Sequence, residues 1–161
     1  MSEKSNEFAI DDLTSDDVSR IGWSGPPTHL RSVRAALERV ATGEVEYLCI
    51  RDASGDPVAK GGIDYAAHPG AGTLWQLATR EDLRSRGLGT LLIAAAEDRV
   101  RDRGMRRAVM GVEENNPRAR ALYERLGYVE YGGEAAEWDQ EDEHGAITRY
   151  RTEIALLGKD L

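Results

Sequence analysis

The stretch Leu83-Arg84-Ser85-Arg86-Gly87-Leu88-Gly89-Thr90 sets two arginines and two glycines directly before an apolar run. Glycine weakens a helix that is about to begin, so its use there needs a compensating reason. The first N–H groups of a helix have no intrahelical partner, and that end carries roughly half a positive charge. Bare glycine backbone lets an anion approach those groups. Arg84 and Arg86 add charge-assisted donors suited to phosphate oxygens. The pattern is that of an anion-binding loop; a glycine corner with no ligand is the plainer alternative.

Two other phosphate loops are tested by their spelling. A nucleoside-triphosphate loop needs Gly-x4-Gly-Lys-Ser/Thr, and no such run exists. A dinucleotide fingerprint needs a third glycine where Leu92 stands, although Glu113 ends the next strand near the position of a ribose-binding acid. The chain offers one strand–helix–strand unit preceded by hairpins, which ranks the dinucleotide reading below the first.

The remaining reactive side chains carry less. Cys49, the only cysteine, sits in the apolar run Val45–Ile50 and reads as a buried structural thiol. His29 opens a helix, His68 lies in a turn beside Pro69, and His144 lies in an acidic loop; all three read as surface residues. No His/Asp/Glu spacing suggests a metal site. Trp23, Trp75 and Trp138 read as core residues, with a cation pocket built with the acids of residues 137–143 as the alternative.

The elements that must position these groups are well punctuated. Residues 7–13 read as a first strand. Residues 28–43 form a helix through Leu30, Val33, Leu37 and Val40, stopped by Gly43. Two strands at 45–52 and 57–66 are joined by a turn-rich Ala-Ser-Gly-Asp, and a fourth strand covers 73–79. A helix over 88–103 presents Leu88, Leu91, Leu92, Ala95, Ala96 and Val100 to the core and ends at Gly104. Residues 106–113 form a fifth strand. Asn116 as N-cap, Pro117 at the first turn and Gly127 after the end define another helix. Closing strands at 128–133 and 146–157 flank an acidic loop at 134–145. The order β-α-β-β-β-α-β-α-β-β gives a mixed α/β fold.

At this point the residues reach a family. Arg84-Ser85-Arg86-Gly87-Leu88-Gly89 resembles the Arg/Gln-x-x-Gly-x-Gly/Ala signature of the GCN5-related N-acetyltransferases. Leu77-Ala78-Thr79 resembles the end of that family's splayed fourth strand, and Asn116 to Tyr128 its Asn-x-x-Ala-x-x-Leu-Tyr-Glu-x-x-Gly-Phe/Tyr motif. The resemblance covers about residues 73–131. It implies a central twisted mixed sheet flanked by helices, formed by one domain over residues 1–161.

The resemblance further implies direct acetyl transfer from acetyl-coenzyme A, as co-substrate, to a primary amine without an acyl-enzyme. Arg84, Ser85, Arg86, Gly87, Leu88, Gly89 and Thr90 would bind the pyrophosphate. Leu77, Ala78 and Thr79 would line the pantetheine arm, the Leu77 N–H serving as oxyanion donor. Asn116 would contact the cofactor or act only as an N-cap. Tyr123 would protonate the departing thiolate, its alternative being a packing tyrosine beside Ala119, Leu122 and Leu126. Some relatives carry a basic Glu where this chain has Gly111; Glu113 and Glu114 are nearby alternatives, and the base is unassigned.

The expected acceptor is a small-molecule amine, with a protein N-terminus or lysine, or a non-catalytic acyl-coenzyme A sensor, as alternatives. The chain is 161 residues long with 40% apolar and 31% charged residues, an ordinary globular balance. The net charge of −8 argues against nucleic acid. No run of ~18 apolar residues suggests a membrane span, and the polar first residues lack a signal-peptide core. The single cysteine suggests a reducing cytoplasm; a homodimer is left open.

Overall fold

The computed structural model describes residues 7–161, so the polar first six residues lie outside it. Seven strands form one sheet in the order β1-β2-β3-β4-β5-β7-β6. They are β1 (Ala9–Asp12), β2 (Val45–Arg51), β3 (Pro57–Asp64), β4 (Gly72–Thr79), β5 (Arg107–Glu113), β6 (Val129–Glu141) and β7 (Ile147–Asp160). Helices α1 (Pro27–Glu38), α2 (Leu88–Asp102) and α3 (Pro117–Arg125) complete the fold. β4 and β5 are parallel and every other neighbouring pair is antiparallel. The expected mixed α/β architecture with flanking helices is present.

The centre of the sheet is covered on both faces, and β2 shows how its sequence divides between them. Val45, Tyr47 and Cys49 join the core beneath α1, whereas Leu48 and Ile50 join the core with α2. A strand buried on both faces reads as a near-continuous apolar run, as this one does. Leu88, Leu92, Ile93, Ala96 and Val100 bury the inner side of α2, and Ala119 and Tyr123 of α3, with Leu126 at its C-cap, pack against the same core. A buried polar lock joins these layers. The Tyr128 hydroxyl donates to Glu97 Oε2 at 2.7 Å, and Lys159 Nζ reaches the same carboxylate at 3.0 Å.

Three expectations are corrected. Leu91 is 50% exposed, because the buried stripe at 88, 92, 93, 96, 97 and 100 leaves it on the opposite side of α2. Helix α1 ends at Glu38, so Val40 lies beyond it and is exposed. The acidic segment is not a loop: β6 runs to Glu141, and Asp142 caps a short turn by accepting the N–H groups of His144 and Ala146. Cross-strand partners on β7 supply the stability that the composition lacks. Arg149 pairs with Glu137 and Asp139, Arg151 with Glu137, and Trp138 packs against Tyr150 at 5.1 Å between ring centroids.

Candidate functional site

β4 and β5 stay paired only from Gly72–Ala108 to Leu74–Met110. Beyond that point they part. On the other side of β4 the register with β3 breaks as well, passing from Gly62–Trp75 to Lys60–Ala78. Gln76 and Leu77 therefore fall outside both ladders, and Gln76 sits at φ +57°, a conformation that few non-glycine residues adopt. The diglycine of β3 makes this bulge possible. A Cβ on Gly61 would overlap the Leu77 side chain, and one on Gly62 would lie 2.6 Å from the Trp75 ring.

The parted strands open a cleft of about 450 Å³. Trp75, Gln76, Leu77 and Gly111 line its strand walls, Tyr123 projects from α3, and Glu134 stands on β6. Tyr123 is largely shielded from water, and that burial raises its phenol above the ordinary tyrosine range. His68, expected at the surface, lines one end of the cleft and bonds Thr73 Oγ1 through Nδ1 at 2.8 Å.

The loop after β4 carries the other sequence-predicted residues. Ser85 and Gly87 both take left-handed backbone, at φ +65° and +81°. Gly87 is the N-cap of α2, and no side chain caps that end. Leu88 buries its side chain and offers the loop only its backbone, while Arg84, Ser85, Arg86 and Thr90 are exposed. Arg118 of α3 donates to Ser85 Oγ at 2.9 Å and ties the loop to the helix that carries Tyr123. Gly89 lies inside α2, and a Cβ there would meet only Leu122, at 3.8 Å. The left-handed requirement thus belongs to Gly87; packing gives no reason for Gly89 to be bare. Ala78 and Thr79 pair with Lys60 and Ala59 on β3, which fixes the course of the strand into the loop. Asn116 caps α3, its Oδ1 accepting the Ala119 N–H at 3.2 Å.

The candidate bases occupy distinct surroundings. A Cβ on Gly111 would lie 2.9 Å from Ile154 Cγ2. Glu113 accepts the Tyr150 hydroxyl at 3.0 Å, and Glu114 is exposed. Cys49 is fully buried and its thiol is pushed up to about 12, first by burial and then by its bond to Asp11, which leaves it inert as a nucleophile. Among the described residues no three His, Cys, Asp or Glu side chains converge as a metal site.

A polar cluster that the sequence did not disclose lies under α1. Lys60 is fully buried; its Nζ donates to the Gln76 carbonyl at 2.7 Å and to the Tyr47 hydroxyl at 3.2 Å. Tyr47 in turn donates to Gln76 Oε1 at 2.9 Å. Burial lowers the Lys60 ammonium to about 7. His29, expected at the surface, has its Nε2 shut away without a partner, and burial together with the Lys60 charge lowers it to about 4. The available signal was a lysine inside the apolar run Pro57–Ile63, in a chain with only three lysines.

Comparison with known proteins agrees with this geometry. Residues 10–128 match the model of the acetyltransferase (GNAT) family. A search of the curated proteins finds no match. Among solved structures, the ribosomal-protein-S18-alanine N-acetyltransferase from Escherichia coli aligns with TM-score 0.72 and 18% identity over 95% of this chain and 93% of its own. The spermidine N-acetyltransferase from Vibrio cholerae, in complex with coenzyme A and spermine, aligns with TM-score 0.70 and 15% identity over 96% and 95%. The PaiA N-acetyltransferase from Thermoplasma acidophilum, in complex with coenzyme A, gives TM-score 0.68 and 12% identity over 96% and 99%. At these identities the likeness is one of fold. The family match, spanning most of the chain, makes this protein a member of the GNAT family of acetyl-coenzyme A-dependent N-acetyltransferases.

Proposed function

We propose that the protein transfers acetyl from acetyl-coenzyme A to the primary amine of a small molecule, with the acyl group seated where β4 and β5 part. The observation that carries this reading is the uncapped start of α2 behind left-handed Gly87, on the loop that leaves the splayed strand. The backbone N–H groups of Leu88, Gly89 and Thr90 are donors without intrahelical partners, suited to a diphosphate, and Arg84 and Arg86 stand exposed beside them. The bare Gly89, unexplained by packing, fits the same ligand.

In the transfer, the lone pair of the neutral amine attacks the acyl carbon, a C–N bond forms and the C–S bond breaks. The nitrogen releases one proton to solvent, from which Tyr123 is later reprotonated. Leu77 N–H donates to the carbonyl oxygen as negative charge develops there. Tyr123, kept protonated by its burial, gives its proton to the departing sulfur. Leu77, Ala78 and Thr79 line the arm that leads from the loop to that point, and Asn116 holds the start of α3 in place. Glu134 on the cleft wall favours a cationic acceptor. A protein N-terminus or lysine is the second acceptor class, and a module that binds acyl-coenzyme A without turnover is the second functional class.

The test is a panel of amines, including polyamines, aminoglycosides, amino acids and peptides, assayed by thiol release in the presence of acetyl-coenzyme A. Release stimulated by a small amine supports the proposal. Release only with peptides moves the acceptor to protein. Tight coenzyme A binding with no release across the panel assigns a sensor.

A further inference from the structure

Lys60 is a cation with no carboxylate among its hydrogen-bond partners, in a position where an apolar side chain would fill the space without desolvating a charge. Its place in the fold gives it a use. Its partner is the main-chain carbonyl of Gln76, the residue at which β4 leaves both ladders. That carbonyl and the Leu77 N–H are the two ends of one amide group. A donor at the oxygen draws the nitrogen lone pair into the C–N bond and strengthens the N–H as a donor, so the two hydrogen bonds reinforce each other. A charged donor does this more strongly than a neutral one. Tyr47 clamps the other end of the same residue through Gln76 Oε1, which keeps the φ +57° backbone in place.

We infer that Lys60 is a positioning residue for acetyl transfer: by bonding the Gln76 carbonyl it holds the β4 bulge and polarises the Gln76–Leu77 peptide, so that the Leu77 N–H binds the acyl oxygen more strongly. This rests on the oxyanion role proposed for Leu77. The groups that face Lys60 are Tyr47 from β2, Gln76 from β4 and His29 from α1. His29 titrates near 4, and burial moves the Tyr47 phenol upward, so neither changes charge where Lys60 does, near 7.

The first experiment uses the isotopically labelled wild-type protein and nuclear magnetic resonance. The Lys60 ε-carbon, the Gln76 carbonyl carbon and the Leu77 amide are followed from about pH 5.5 to 9. All three are expected to move with one midpoint; a Leu77 amide that stays still while Lys60 titrates overturns the inference. The second compares Lys60→Met with wild type. Removing an oxyanion donor outright costs ~10²–10³-fold in kcat, so weakening one should cost roughly tenfold, with coenzyme A affinity and acetyl-coenzyme A KM unchanged.

The carbonyl stretch of bound, carbon-labelled acetyl-coenzyme A should rise in frequency in Lys60→Met, and Lys60→Gln, which restores a neutral donor, should recover part of both effects. Unchanged kcat and unchanged stretch overturn the inference. The underlying reading is checked separately by the Leu77 amide in wild type. If acetyl-coenzyme A and coenzyme A shift it equally, the oxyanion role of Leu77 fails. If it responds to the acyl group but not to Lys60, only the present inference fails.

Discussion

Ile154 on β7 fills the space that a side chain at Gly111 would need, with its Cγ2 only 2.9 Å from the position of a Cβ there. The cleft wall is therefore shaped for the absence of a carboxylate at that point of β5. Gly111→Glu should fail to raise turnover and should destabilise the protein by about 1–3 kcal/mol through overpacking. Urea denaturation and steady-state rates check both statements. A faster Gly111→Glu enzyme would show that the chain lacks only the base and that Ile154 yields easily.

The two loop glycines should separate under substitution. Gly87→Ala imposes a Cβ on left-handed backbone, which costs roughly 1–2 kcal/mol, so its melting temperature should fall even without ligand. At Gly89 a Cβ would meet only Leu122, at ordinary van der Waals distance, so the fold of Gly89→Val should hold while coenzyme A binding weakens by more than about tenfold, which corresponds to about 1.4 kcal/mol. Calorimetric titration beside thermal melts distinguishes them. Normal coenzyme A affinity in Gly89→Val would remove the ligand-based reason for that glycine.

Tyr123→Phe keeps the ring that packs against the α2 core and removes only the hydroxyl. Turnover should fall toward the low end of the ~10²–10⁴-fold range of general acid catalysis, because a thiolate is a fair leaving group and water can replace a phenol in part. Coenzyme A affinity and stability should hold. Equal turnover would return Tyr123 to a packing role.

Glu97→Ala leaves Lys159 and the Tyr128 hydroxyl without their shared acceptor beneath α2. Breaking a buried charge pair from one side typically costs ~3–5 kcal/mol, and the partial exposure of Lys159 points to the low end. Chemical denaturation of Glu97→Ala against Glu97→Gln checks this, the glutamine retaining one acceptor for Tyr128. A loss below about 1 kcal/mol would mean that the three groups are solvated in the folded protein.

The element order and the loop were legible because their instructions are local. Gly87, Gly104, Asn116-Pro117 and Gly127 each mark an end with residues adjacent to it, and Gly87, Gly104 and Gly127 all take left-handed backbone. The parts that were not legible depend on partners far along the chain. β6 persists through its acidic residues because Arg149 and Arg151 stand opposite on β7, a pairing that composition alone does not register. The Lys60 cluster depends on a bulge at Gln76, a residue type that does not advertise positive φ. His29 is hidden for the same reason, since Lys60 beneath it is distant in sequence, whereas His68 is held by Thr73 across the short turn into β4.

The buried ionisable groups give a signed pH prediction for stability. Lys60 releases its proton near 7 in the folded chain and at 10.5 when unfolded, so between those values the unfolded state binds more protons. Unfolding free energy therefore rises with pH across that interval. His29 acts in the same sense between about 4 and its ordinary 6.5. Arg51 holds the Asp17 carboxyl far below the usual carboxylate range, so that pair's stabilisation is present above the ordinary carboxylate pKa and is lost in stronger acid. Opposing these, burial raises the phenols of Tyr47 and Tyr65, so the unfolded chain loses protons first above about pH 10 and stability falls there.

The maximum is thus expected on the alkaline side of neutrality, below pH ~10. One proton taken up on unfolding changes stability by about 1.4 kcal/mol per pH unit, so Lys60 alone should add about 2 kcal/mol between pH ~7 and ~9. Urea denaturation across this range should show the midpoint climbing in wild type and flat in Lys60→Met. A wild-type midpoint that stays flat over the same interval would mean that Lys60 keeps its proton throughout, held by the Gln76 carbonyl and Tyr47 more strongly than burial expels it.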